Sequence, residues 1–214
     1  RDLLSHEYGC RDSESAFESR GGSRDRGAGE DDLFGAGEGH CCSMATVTAQ
    51  QLIDRFKLEA LDGEGGFYRR IYEDSSAIET GSLGPFFSSD LPLSSAIYYL
   101  MTRESFSALH WLAGLEIWTW IAGDPIEQVL AHPTGTVERR LVGTHEGMEP
   151  VSIVPGDCWQ GSRVHADGTA GYALCSTVMC PAYDQRDFRL ADAQVCRQFA
   201  AHAPYLAEFL ADGR

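Results

Sequence analysis

The sequence predicts a mainly β fold, a barrel of many short strands flanked by short helices at both ends. Three observations carry that expectation. Short apolar runs recur between residues 67 and 180, separated by turn residues such as "AGDP" at 122–125 and "PGD" at 155–157. Helical periodicity is confined to the two ends of that region. The 214 residues are 43% hydrophobic and 23% charged, which is enough for one ordinary domain and a tail.

Residues 1–43 form the tail. They hold eight glycines, many Ser, Asp, Glu and Arg, and few large apolar side chains. A stretch such as "RGGSRDRGAGEDD" buries too little surface to offset its ordering entropy, so it is expected to be disordered. Met44 opens "MATVTAQQLIDRFKLEAL", which reads like a natural start, and the folded domain is expected to span 44–214.

The first element is a helix. Thr48 and Gln51 have capping-box spacing, and Leu52, Ile53 and Phe56 recur at helical intervals. The turn "DGEGG" at 62–66 is expected to end it. Strands are then expected at 67–73, 94–102, 105–111, 115–121, 126–132, 136–142, 150–154, 158–163 and 170–180. The run "VCRQFAAHAPYLAEFL" returns to helical spacing, with Pro204 opening a second short helix.

Composition narrows the function classes. A net charge of −15 argues against nucleic acid, which needs a basic face. No apolar run approaches the roughly 18–20 residues of a membrane span, and no signal-peptide pattern opens the chain. The expectation is a soluble, cytoplasmic protein. Seven cysteines without a C-x-x-C fit free thiols in a reducing compartment. Lys57 is the only lysine, which leaves one candidate for Schiff-base chemistry. "GEGGF" lacks the Lys-Ser/Thr of a phosphate loop, so no nucleotide cofactor is expected.

Within "LHWLAGLEIW", His110 and Glu116 stand alone among Trp, Leu and Ile. Buried titratable groups need partners, so the pair either does chemistry or is satisfied internally. A hairpin across "LAG" would bring both to one wall. Alternation puts Glu116, Trp118 and Trp120 on one face of the 115–121 strand.

These residues resemble the cupin superfamily. His110, Glu116 and Gly123 match the spacing of its first motif, with Leu112 in the place of the second His. In the second motif Pro155 aligns, with Asp157 for Gly, Gln160 for His and Val164 for Asn. Five ordered segments resemble one subfamily, the cupin family 5 of unknown function: "EGGFYRRIYEDS", "SSAIYYLM", "ALHWLAGLEIWTWIAGDP", "SIVPGDCWQGS" and "GYALCSTVMCPAYDQRDFRL". The departures are Arg70 for an acidic residue, Glu73 for a basic one and Tyr183 for Phe; the first two exchange signs, an exchange that would preserve a salt bridge.

The resemblance implies a jelly-roll barrel, a homodimer and an inner pocket. It implies His110, Glu116 and Gln160 as the metal-type positions. One His, one carboxylate and one amide make a weak set, so the expectation is no metal or one weakly held divalent ion. Sugar-nucleotide epimerases of the superfamily divide labour between His and Tyr. By that analogy His110 is the base, held by Glu116, and Tyr98, Tyr99 or Tyr183 the acid. Arg69 would reach an anionic group, and Trp118, Trp120 and Trp159 would stack on a ring or fill the barrel. Gln160 and Tyr183 complete the expected substrate contacts. Cys158 and Cys175 read as core thiols, and His132, His145 and His165 as turn residues facing solvent. The expected function is a barrel that binds a small polar or carbohydrate-like molecule, as an epimerase, isomerase or lyase. The alternative is a non-catalytic binding or storage barrel.

Overall fold

The computed structural model describes residues 47–211. The expected tail at 1–43 lies outside them. Helix α1 (Ala49–Phe56) opens the domain, and Thr48 and Gln51 form the capping box. The helix ends earlier than "DGEGG": Lys57 takes a left-handed conformation, φ 52°, and its N–H caps the last turn. That reversal turns the chain so that Leu58 is buried under the sheet.

Thirteen strands follow: β1 (Glu59–Ala60), β2 (Phe67–Glu73), β3 (Ala77–Ile78), β4 (Leu91–Pro92), β5 (Ser95–Thr102), β6 (Ser107–Leu112), β7 (Leu115–Gly123), β8 (Ile126–Ala131), β9 (Val137–Val142), β10 (Val151–Val154), β11 (Cys158–Val164), β12 (Tyr172–Cys180) and β13 (Phe188–Leu190). Helix α2 (Ala193–Phe199) and a 3-10 helix (Pro204–Phe209) close the described chain. The nine expected strands are present within a residue or two. The short β1, β3, β4 and β13 carry too few residues for a periodic signal.

Two antiparallel sheets face each other. One runs β1-β2-β5-β12-β7-β10 and the other β13-β6-β11-β8-β9. Their inner faces share one core, with Tyr99, Met101, Trp118, Ile126, Leu130, Val154, Cys158, Val164 and Cys175 among its members. The outer face of the first sheet is covered by α1, through Leu52, Leu100, Tyr172 and Leu174. The outer face of the second is covered by the C-terminal helices, through Leu109, Val129, Phe199, Leu206 and Phe209. Each strand is therefore apolar on both sides where a helix lies above it, which is why the strands read as apolar runs.

One connection departs from the sequence reading. The tight link Ala113-Gly114 is not a hairpin. Strand β6 pairs with β11 and β13, whereas β7 pairs with β12 and β10. The chain crosses from one sheet to the other, so His110 and Glu116 stand on facing walls of the barrel.

A buried carboxylate fixes the far end. Asp124, at the β7–β8 turn, accepts hydrogen bonds from the backbone N–H groups of Thr169, Ala170 and Gly171 at 2.7–2.8 Å. The neighbouring Gly168 is required, because a Cβ there would lie 2.2 Å from the Asp124 carboxyl carbon. Asp124→Ala leaves these donors unpaired and is expected to lower stability by about 3 kcal/mol, read from urea unfolding.

Candidate functional site

A cavity of about 150 Å³ opens between the sheets. His110 and Leu112 line it from one sheet, and Tyr99, Glu116, Trp118 and Thr177 from the other. Glu64, Tyr68, Arg70, Tyr183 and Gln185 complete the polar and aromatic wall.

His110 is 2% exposed. Its Nδ1 lies 2.8 Å from the backbone oxygen of Ala108. A carbonyl only accepts, so Nδ1 carries the proton and Nε2 is the basic nitrogen. Among the described residues Nε2 has no hydrogen-bond partner. The ring stacks on Phe188, with centroids 5.4 Å apart.

Glu116 faces it from β7. Gln160 donates its amide N–H to Glu116 Oε2 at 2.6 Å, and Trp118 donates its indole N–H to Gln160 Oε1 at 3.2 Å. An indole only donates, so the amide orientation is determined: oxygen toward Trp118, nitrogen toward Glu116. The Thr177 side chain stands on the same wall as the carboxylate. Burial raises the Glu116 carboxyl above the usual carboxylate range, and the facing His110 offsets part of that rise.

Glu64 is the site residue that sequence reasoning missed. It sits in the Glu-Gly-Gly turn before β2. Its Oε1 accepts from Ser107 Oγ at 2.8 Å, and lies 3.3 Å from the Tyr99 oxygen and 3.8 Å from His110 Nδ1. The glycines make this placement possible. Gly65 and Gly66 have φ of 100° and 71°, and a Cβ on Gly66 would lie 2.5 Å from Tyr99 OH. The signal was in the sequence, as two successive glycines after a carboxylate, but it reads equally as an ordinary turn.

The structure separates the expected residues. His110, Glu116, Trp118 and Tyr183 line the cavity. Tyr98 does not: it points to the outer face, where it packs against Phe56 at 5.0 Å and under Arg69. Its neighbour Tyr99 faces inward instead. Arg69 likewise faces outward, and Arg70 takes the cavity side, paired with Glu73 at 2.5 Å as the exchanged signs suggested. Trp120 fills the barrel beside the core and donates to Asp124 O at 3.0 Å, away from the cavity. Gln160 stands behind Glu116 and contacts it, rather than lining the cavity. Trp159 packs outward against the C-terminal helices. His132, expected in solvent, is held between Cys158 Sγ at 3.3 Å and Glu138 at 2.8 Å.

Tyr183 is half-buried at the mouth and donates to Gln185 Oε1 at 2.6 Å. Burial and the nearby Glu64 charge push its phenol up to about 12, so it is protonated at neutral pH. Tyr99 is pushed well above its usual range, chiefly by burial and then by Glu64.

The donor set does not fit a tightly held transition ion. Such sites use three or four ligands. Leu112 occupies one ligand place, and the Gln160 amide is engaged by Trp118 and Glu116. Among the described residues no group of three His, Cys, Asp or Glu gathers to hold a metal. Among them, too, no helix is long and apolar enough to cross a membrane.

Two facing antiparallel sheets with an inner, histidine-bearing pocket define a cupin barrel. The chain belongs to the family described as Cupin superfamily (DUF985), whose model matches residues 50–191. It is similar to a hypothetical protein from Leishmania major, at 29% identity over 78% of this chain and 100% of that one, with a TM-score of 0.69. A crystal structure of a Shewanella oneidensis protein aligns at 25% identity over 77% of this chain and 98% of that one, with a TM-score of 0.66. Comparison with curated proteins returns no match.

The raised carboxyl of Glu116 has a stability consequence. A group whose folded-state value exceeds its unfolded value binds its proton more tightly in the folded state. Stability then falls as pH rises from the ordinary carboxylate range through the raised value. Glu116→Gln removes that dependence. The variant is expected to melt higher than the parent at neutral pH, with the gap closing toward about pH 4, in thermal scans across pH.

Proposed function

We propose that this cupin binds a small polar, carbohydrate-like molecule in the cavity and moves a proton on it, as an epimerase or isomerase. The observation that carries this reading is the fixed tautomer of His110. The Ala108 carbonyl holds the proton on Nδ1, leaving Nε2 as an unpartnered base on the cavity wall. Tyr183 supports the reading by position, since its phenol stands on the cavity wall at the mouth. Size agrees: a cavity of about 150 Å³ takes up a single six-membered ring.

In this reading His110 Nε2 removes a proton from a carbon of the ligand and Tyr183 supplies one. Glu116 keeps the imidazolium that forms from being an isolated buried charge. Gln160 and Trp118 hold Glu116 in place and are positioning residues. A binding barrel without turnover is the second reading, supported by Leu112 in a ligand place and by the internal engagement of Gln160.

Proton transfer leaves a record in deuterated water. The protein is expected to exchange a hydrogen on the carbon next to a carbonyl for deuterium in a pool of small aldoses and ketoses, followed by proton NMR. His110→Gln is expected to lower that exchange by about 100-fold or more, and Tyr183→Phe by a smaller factor. Binding without exchange in the parent protein would favour the second reading.

A further inference from the structure

The proposal here rests on the reading of the cavity as a ligand site and concerns the charge of what it takes. Two carboxylates, Glu64 and Glu116, reach the same small cavity. Arg70 is the only Lys or Arg on its wall among the described residues. It lies at the mouth, 45% exposed at its side chain, and is already paired with Glu73. The interior therefore sets two carboxylates against one histidine, with no Lys or Arg inside it to balance them.

The donors around the carboxylates are engaged within the protein. Ser107 points its hydroxyl at Glu64, Tyr99 points its own at the Gly65 carbonyl, and Gln160 points its amide at Glu116. Ser95 and Tyr68 add hydroxyls to the wall, but the charged capacity left for a ligand is all acceptor: the carboxylate oxygens, beside His110 Nε2 on a side chain 2% exposed. The rest of the wall is aromatic. Tyr68, Tyr99, Trp118 and Tyr183 surround the same space, and the Tyr99 and Trp118 rings meet edge to face at 5.6 Å. Ring faces attract cations, and aromatic walls with nearby carboxylates suit organic ammonium groups.

We infer that the ligand of this cavity carries an ammonium group, as in an amino sugar, recognised by Glu64, Glu116 and the tyrosine and tryptophan rings beside them. A primary ammonium offers three donors and one positive charge, which matches an acceptor-rich, negative, ring-walled site. An anionic ligand meets like charge on both sides, and a neutral sugar forgoes the charge-assisted contacts.

The test uses the full chain and four probes measured by calorimetry at neutral pH: glucosamine, glucose, glucuronate and tetramethylammonium. Glucosamine is expected to bind at least about tenfold more tightly than glucose, with glucuronate weakest. Glu64→Gln is expected to reduce that preference, the glucosamine affinity falling by a larger factor than the glucose affinity. If Glu64→Gln fails to fold, the four probes on the parent protein decide alone. Glucose or glucuronate binding as tightly as glucosamine would overturn the ammonium assignment and leave the ligand-site reading standing. Failure of both glucosamine and tetramethylammonium to bind would also overturn it, while the deuterium-exchange experiment judges the ligand-site reading separately.

Discussion

The contact on which the cavity depends is the bridge from Trp118 through Gln160 to Glu116. A carboxylate inside a barrel is unstable unless its oxygens are satisfied. Gln160 stands on β11 and Glu116 on β7, so their 2.6 Å hydrogen bond ties the two sheets together across the core. Trp118 fixes the amide that makes it, because an indole leaves no choice of orientation. This bridge lets a charged group persist on a wall that also holds Leu112, Trp118 and Met179. It also explains why Gln160, in a place the cupin pattern gives to a metal ligand, serves a different purpose in this chain.

The second constraint is geometric. Glu64 enters the cavity only because two glycines with positive φ follow it and let the turn close against Tyr99 and Phe106. Tyr99 OH donates to the Gly65 carbonyl at 2.7 Å, so turn and barrel wall lock each other. The site is thus assembled from both sheets and one turn. His110 comes from β6, Glu116 from β7 across the sheet change, and Glu64 from the entry to β2.

Much of the fold was legible in the chain. Thr48 and Gln51 announced α1, and Gly, Pro and Asp turns divided the strands. Which face each residue takes was less legible, for a physical reason. The β5 strand has α1 above it and the core below, so Tyr98 and Tyr99 are both half or fully buried and no polar alternation tells them apart. The same ambiguity exchanged Arg69 and Arg70. The crossing at Ala113-Gly114 was illegible because a two-residue link fits a hairpin or a change of sheet equally well. What decides is the pairing of β6 with β11, a contact between residues far apart in sequence. Glu64 lay in a turn, where periodicity carries no signal.

The central claim is that the protein fixes His110 with its proton on Nδ1 and its lone pair on the cavity side. The most direct measurement is the long-range proton–nitrogen correlation spectrum of the His110 imidazole at neutral pH, assigned by comparison with His110→Gln. The account predicts a protonated Nδ1 and an unprotonated Nε2. A proton on Nε2, with Nδ1 bare, would contradict it, since the cavity-facing nitrogen would then be a donor and could not serve as the base.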